Sequence, residues 1–162
     1  MICSKLLGAE KIIVIDTNEN RLNIAKQQNL ANYFLNPQNC NIEQEIKNFT
    51  DCRGADGVIE CAGGKTTFEL AWKIARPNAI VVAMYEDNQT LPLPQMYGKN
   101  LTFKTGGVDA IYCKELLELI SQGKINTDFL ITQKYKLSEI EEAYKFFAQN
   151  KNSCLKVAIT QD

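Results

Sequence analysis

The sequence has 162 residues, of which 45% are hydrophobic, and this composition predicts one folded domain and excludes the disordered class. Its 18 Lys and Arg residues are balanced by 19 Asp and Glu, and no apolar run approaches the roughly 18 residues of a membrane span. We therefore expect a cytoplasmic protein that binds neither nucleic acid nor membranes. The chain has no histidine, and its six cysteines contain no Cys-x-x-Cys pair; both features argue against a metal site in this chain.

In chain order, short apolar runs predict strands at residues 12–15, 57–61, 79–84 and 155–159. Apolar residues at helical spacing predict amphipathic helices at 42–49, 68–75 and 140–147, with Trp72 in the core. Helices that alternate with apolar strands indicate the α/β class. We predict a doubly wound, mostly parallel sheet with helices on both faces, in which ligands bind beyond the carboxyl ends of the strands.

Three local signals refine this prediction. Gly8 is expected to end the first helix. Ser138 and Glu141 form a predicted capping box at the start of the last helix, where Glu141 and Lys145 are spaced as an ion pair. The segment Glu86–Asn100 is rich in Pro, Asn and Gln and predicts an irregular surface excursion between two strands.

Asp16 is the most informative single residue, because it follows the apolar run 12–15 and precedes a helix expected to start near Thr17 or Asn18. In dinucleotide-binding folds, a carboxylate at the tip of the second strand accepts hydrogen bonds from the ribose of NAD and disfavours NADP. Asp is also common at helix N-termini for reasons of capping. The local sequence leaves these two interpretations equally open.

The glycine-rich loop that should precede such an aspartate by about 20 residues would lie before Met1. The segment SKLLGAE then corresponds to the end of the helix that follows this loop. We therefore expect the first strand and the phosphate loop to be missing. The two strands that would flank that central strand would each have an unpaired edge.

Three segments carry a family resemblance: KLLGAEKIIVIDTNENRLNIAK, CRGADGVIECAGG and KLSEIEEAYKFFAQNKNSCLKVAIT. In this order they resemble the cofactor-binding domain of medium-chain, zinc-dependent alcohol dehydrogenases, and the resemblance covers almost the whole chain. It implies a Rossmann-type fold over residues 1–162, as a single partial domain that lacks the first strand. It also implies an NAD(H)-binding domain of an oxidoreductase that interconverts alcohols or polyols with ketones or aldehydes.

The resemblance implies a set of cofactor-binding positions. Asp16 and Arg21 would hold the adenosine ribose, while Cys61 and Ala62 would line the adenine side and Gly63 and Gly64 would let the backbone approach the cofactor. The nicotinamide end would meet backbone groups of four residues: Val82, Met84, Gly106 and Val108. Arg21 can equally be read as a solvated charge, and the Gly-Gly pair as an ordinary turn. Met84 and Tyr85 stand where many members of the family have a small residue.

The resemblance also limits what this chain can do. The zinc ligands and the proton relay of the family belong to a catalytic domain that this chain does not contain, so no residue is predicted to be catalytic and no zinc is expected here. We expect the isolated chain to be inactive. The family's dimer edge corresponds to Leu101–Thr105, so a homodimer through this strand is predicted.

Two other functions remain open. The chain could be a non-catalytic nucleotide-binding or interaction module. It could also be a methyltransferase domain that binds S-adenosylmethionine, because that fold likewise places an acidic residue on a ribose. The absence of the antiparallel last hairpin of such methyltransferases argues against the second alternative.

Overall fold

The computed structural model describes residues 1–84, 90–106 and 110–161. In chain order the helices are α1 (Ile2–Leu6), α2 (Glu19–Gln27), α3 (Ile42–Phe49), α4 (Lys65–Ile74), α5 (Leu93–Met96), α6 (Cys113–Ser121) and α7 (Ile140–Gln149). The strands are β1 (Ile13–Ile15), β2 (Tyr33–Leu35), β3 (Ala55–Glu60), β4 (Ala75–Ala83), β5 (Thr102–Lys104), β6 (Ile131–Lys136) and β7 (Lys156–Thr160). The predicted α/β class is confirmed.

The chain divides into two compact units, residues 1–39 with 110–162 and residues 40–109. The first unit contains the strand pairs β1–β2 and β6–β7, and the second contains the sheet β3–β4–β5. Every strand pair among the described residues is parallel. This includes β6 and β7, so these strands do not form the antiparallel hairpin of the methyltransferase alternative.

The strand pairing agrees with the expected loss of one strand. Within the described ranges, β1 pairs only with β2, and β3 pairs only with β4. On one edge of each of these two strands, the backbone groups are therefore not paired with another strand of the described ranges.

The core of the second unit lies between α4 and the sheet. Val81 of β4 is fully buried, and Phe68 and Trp72 of α4 pack with Ala83 and Met96. The prediction that Trp72 is a core residue is confirmed. Burying these side chains anchors the carboxyl end of β4, which the predicted cofactor residue Met84 follows.

Gly54 allows the chain to pass close to the junction of α4 and β4. Its φ is +90°, and a Cβ atom built there would lie 2.8 Å from both the backbone nitrogen of Arg76 and the backbone oxygen of Ile74. Glycine is the residue that adopts this backbone conformation without steric cost. The turn before β3 therefore depends on the glycine of CRGADG.

Several element predictions are confirmed. Helix α1 ends at Leu6 and is followed by Gly8 with φ +85°, as predicted for a terminating glycine. Helix α2 starts after Asn18, which caps it. The predicted pair of Glu141 and Lys145 is present, with 3.9 Å between the carboxylate oxygen and Nζ.

Two predictions are wrong in detail. The predicted cap at Ser138 is not at the start of α7, because a 3-10 turn over Leu137–Glu139 comes first and α7 begins at Ile140. At the start of this turn, Glu139 accepts a hydrogen bond from the backbone N–H of Lys136. The segment Glu86–Asn100 is not irregular where it is described, because it contains α5 and a 3-10 turn over Tyr97–Lys99. Burial of Met96 in the core stabilises this turn of helix, and residues 85–89 lie outside the described ranges.

Candidate functional site

Asp16 lies directly after β1 and forms the turn that leads into α2. Its Oδ1 accepts a hydrogen bond of 2.8 Å from the backbone N–H of Asn18. The cap of α2 is Asn18 itself, whose Oδ1 accepts from the backbone N–H groups of Asn20 and Arg21 at 2.9 and 3.3 Å. The capping interpretation of Asp16 is therefore replaced by a cap two residues later.

The second carboxylate oxygen of Asp16 accepts no hydrogen bond from the described residues and faces Arg21. The Asp16 side chain is 29% exposed, and Oδ2 lies 3.8 Å from Nη1 of Arg21, which is beyond hydrogen-bond length. An ionised carboxylate with one open oxygen can accept O–H groups from a vicinal diol. The donor chemistry of a ribose thus fits this position.

Arg21 is held on α2 by two groups of its own unit. Its Nη2 donates to the backbone oxygen of Lys151 at 3.3 Å, and its Nη1 faces Asp16. Asn18 supports the same arrangement, since its Nδ2 donates to the backbone oxygen of Asn152 at 3.1 Å. The start of α2 and the turn before β7 are therefore tied together beside the Asp16 carboxylate.

Glu60 organises the predicted cofactor positions of the second unit. It is the last residue of β3, only 6% exposed. Its Oε1 accepts from the backbone N–H groups of Ala62 and Gly63, both at 2.8 Å, and its Oε2 accepts from the N–H of Met84 at 3.3 Å. Burial raises the pKa of Glu60, but its hydrogen bonds from Gly63, Thr67, Ala62 and Met84 lower it by more, so the pKa lies below its usual range.

The structure thus brings part of the predicted set together at one corner of the β3–β4–β5 sheet. Cys61 and Ala62 are exposed and Gly63 is half-buried, and all three follow the end of β3. Met84 follows the end of β4 and is 52% exposed, while Val82 lies half-buried within β4. Glu60 was missed by sequence reasoning, although a carboxylate that ends an apolar run before Gly-Gly is a usable signal.

The remaining predicted positions do not follow β3 or β4. Gly106 is exposed and follows β5 in the second unit, and Val108 lies outside the described residues. Asp16 and Arg21 belong to the first unit.

No three of the His, Cys, Asp or Glu side chains in the described ranges lie close enough together to hold a metal ion. The residues present here therefore do not fit a zinc site. Over the same ranges, no helix has both the length and the apolar character needed to cross a membrane. All six cysteines are free thiols.

Comparison with known proteins gives one consistent result. The family model described as zinc-binding dehydrogenase matches residues 1–122. The chain is 32% identical to an alcohol dehydrogenase of Cupriavidus necator over 96% of its own length and 44% of that protein.

Solved structures agree with this match. The alcohol dehydrogenase TADH from Thermus sp. ATN1 superposes with a TM-score of 0.89 at 27% identity, covering 99% of this chain and 46% of that one. A zinc dependent alcohol dehydrogenase from Streptococcus pneumonia gives 0.85 at 31% identity, covering 94% of this chain and 45% of that one. The chain thus spans less than half the length of the relatives it matches.

Proposed function

Because the chain belongs to the zinc-binding dehydrogenase family, we propose that it is the NAD(H)-binding part of a zinc-type alcohol dehydrogenase. The whole protein would transfer hydride between an alcohol or polyol and NAD, yielding a ketone or an aldehyde. When bound, NAD supplies the ring that exchanges the hydride. The residues of this chain bind and orient the cofactor, and we assign no catalytic step to any of them.

The observation that carries this proposal is the open oxygen of Asp16. A cap of α2 would direct its side chain to the helix N–H groups, but Asn18 does this instead. Asp16 keeps a partly exposed carboxylate at the carboxyl end of a parallel strand, which is where ligands bind in open α/β sheets. A ribose diol would donate to it, with Arg21 beside the same sugar.

The carboxylate also favours NAD over NADP, because a 2′-phosphate would bring a second negative charge against Asp16. The positive charge of Arg21 offsets this repulsion only in part, since its Nη2 already donates to the backbone oxygen of Lys151 and its Nη1 faces the Asp16 carboxylate. Cys61, Ala62 and Gly63 would line the adenine side, and Val82, Met84, Gly106 and Val108 would offer backbone groups to the nicotinamide.

NADH and NADPH binding to the 162-residue chain tests the proposal, with Asp16→Ala compared with the native chain. Loss of a hydrogen bond to a charged group costs about 1.5–3 kcal/mol, so we expect NADH affinity to fall about tenfold or more, while the preference over NADPH disappears. Asp128→Ala is a matched control, since this carboxylate lies in a 3-10 turn of the same unit. Binding without any change in Asp16→Ala would leave Asp16 as a turn residue, and no NADH binding by the native chain would favour an interaction module.

We further propose that the protein is cytoplasmic and forms a homodimer through residues 101–105. Free thiols are typical of reducing compartments. Strand β5 pairs with β4 on one side and, within the described part of the chain, with no strand on the other, so it can add a second copy. Sedimentation velocity should show dimers that dissociate on dilution, and a monomer at every concentration would contradict the dimer.

A further inference from the structure

The carboxylate of Glu60 is buried, accepts several hydrogen bonds and has no part in the proposed contacts to the cofactor. Its partners are nearly all backbone groups of the predicted cofactor positions: Ala62 and Gly63 at one oxygen and Met84 at the other. These groups follow two different strands, β3 and β4, whose last residues Glu60 and Ala83 are paired in register. One side chain therefore links the ends of both strands.

Thr67 of α4 extends this arrangement to the helix. Its Oγ1 lies 2.9 Å from Oε1 of Glu60 and 2.7 Å from the backbone oxygen of Gly64, and it accepts from the N–H of Gly64 at 3.0 Å. A hydroxyl has one proton to donate, and an ionised acceptor forms the stronger hydrogen bond. Thr67 thus fixes the Gly64 end of the turn, while Glu60 fixes its beginning.

We propose that Glu60 is a positioning residue that holds the turn Cys61–Gly64 and the backbone of Met84 in a single arrangement ready to receive the dinucleotide. This inference rests on the proposed function. Glu60 touches no ligand in this proposal and acts through the backbone groups it orients. Binding then requires less ordering of the turn, which is how a preorganised site gains affinity.

The chemistry requires a carboxylate. An ionised Glu accepts at both oxygens, whereas Gln has one acceptor and one donor. In Glu60→Gln, the amide oxygen can keep the bonds to Ala62 and Gly63, but the amide nitrogen then faces the N–H of Met84. In Glu60→Ala, both sets of bonds are lost. Comparing the two variants therefore separates the effect of the hydrogen bonds to the turn from the effect of the hydrogen bond to Met84 after β4.

The test uses the 162-residue chain and two readouts, NADH affinity and the backbone amide NMR signals measured without NADH. Glu60→Gln should shift the Met84 amide signal and speed its hydrogen exchange, while the Ala62 and Gly63 signals stay near their native positions. Glu60→Ala should alter all three. NADH affinity should fall stepwise, by about tenfold or more in Glu60→Ala.

Two further variants make the test specific. Asp56→Asn changes another carboxylate of β3, one that is exposed and paired with Arg76, and should leave both readouts unchanged. Thr67→Val removes the hydroxyl without removing charge, and should weaken NADH binding with Glu60 intact. Thr67→Val also tests the proposal if the Glu60 variants fail to fold. Weaker NADH binding by a folded Thr67→Val variant would support the proposed positioning of the turn, and an NADH affinity equal to that of the native chain would overturn it.

The outcomes separate the two proposals. If the native chain binds NADH and Glu60→Ala binds it equally well, Glu60 has no positioning role and the proposed function stands. If Glu60→Ala loses affinity only in proportion to its unfolded fraction, the residue is merely structural and the inference is again overturned. If the native chain does not bind NADH, the proposed function fails and the inference fails with it, even where the amide signals respond.

Discussion

Replacing Gly54 by Ala should destabilise the protein through two separable causes. The first is backbone conformation, because φ at Gly54 is +90° and an L-residue in the left-handed region costs about 1–2 kcal/mol. The second is crowding, because the new Cβ would lie 2.8 Å from backbone atoms of Ile74 and Arg76. Forcing a methyl group into packed surroundings costs about 1–3 kcal/mol, and these backbone atoms cannot rotate away. We expect a total loss of about 2–5 kcal/mol.

Gly8→Ala is the matched control for the first cause alone. Gly8 has nearly the same backbone conformation, with φ +85°, but a Cβ there would meet nothing within 4 Å. We expect Gly8→Ala to cost only about 1–2 kcal/mol. The difference between the two variants measures the cost of the close approach at Gly54.

Urea unfolding followed by far-ultraviolet circular dichroism provides the free energies, and the fluorescence of Trp72 assigns a transition to the second unit, which contains Gly54. Equal losses in the two variants would refute the reasoning, because the crowding at Ile74 and Arg76 would then have no energetic consequence. A loss in Gly54→Ala without any change in the Trp72 transition would also contradict it, since the affected turn belongs to that unit.

Two other predictions concern charged groups of the second unit. Lys99→Met should lower the free energy of unfolding in urea by about 1.5–3 kcal/mol, because Lys99 Nζ donates to three backbone oxygens at the end of α4, those of Trp72, Lys73 and Ala75. Lys73→Met is the control, since both ammonium groups lie about 6 Å from the Trp72 ring. Equal losses in the two variants would refute the role of these hydrogen bonds. The lowered pKa of Glu60 means that its ionised form stabilises the fold above the ordinary value of 4.5, and that this contribution is lost as pH falls below that value toward the lower folded pKa. Unfolding free energies measured between about pH 7 and about pH 3 should therefore decline more steeply in the native chain than in Glu60→Gln, and parallel curves would contradict the shift.

The sequence predicts the elements whose signals are local and strong. The apolar run 12–15 and the helical spacing of Phe68, Ala71 and Trp72 are visible without tertiary information, and the structure places a strand and a helix there. Short strands are harder, because three residues at Thr102–Lys104 carry no periodicity. The strand Ile131–Lys136 was not predicted at all, because exposed Gln and Lys residues interrupt its apolar pattern and its pairing with β7 comes from tertiary contact.

Helix boundaries and the Pro-rich segment show why composition alone misleads. Leu93–Met96 lies in a stretch rich in turn-forming residues, yet it forms a helix because Met96 is buried against Phe68 and Trp72. The start of α7 shifts because Glu139 folds back onto Lys136. In both cases, a contact that the local sequence does not specify outweighs local propensity.

The candidate site depends on a distinction that sequence reasoning could not make. Asp16 directly follows the parallel strand β1, and Glu60 is the last residue of the parallel strand β3. Each carboxylate accepts from the backbone N–H two residues later, at Asn18 and Ala62. Asp16 keeps one oxygen open in a partly exposed side chain, whereas both oxygens of Glu60 are engaged and the residue is buried. A buried carboxylate whose two oxygens both accept hydrogen bonds cannot accept the hydroxyl groups of a sugar without losing bonds of its own, whereas a partly exposed one with an oxygen that accepts none can. The same local pattern therefore supports ligand binding at Asp16 and positioning at Glu60, and the number of hydrogen bonds already accepted decides between them.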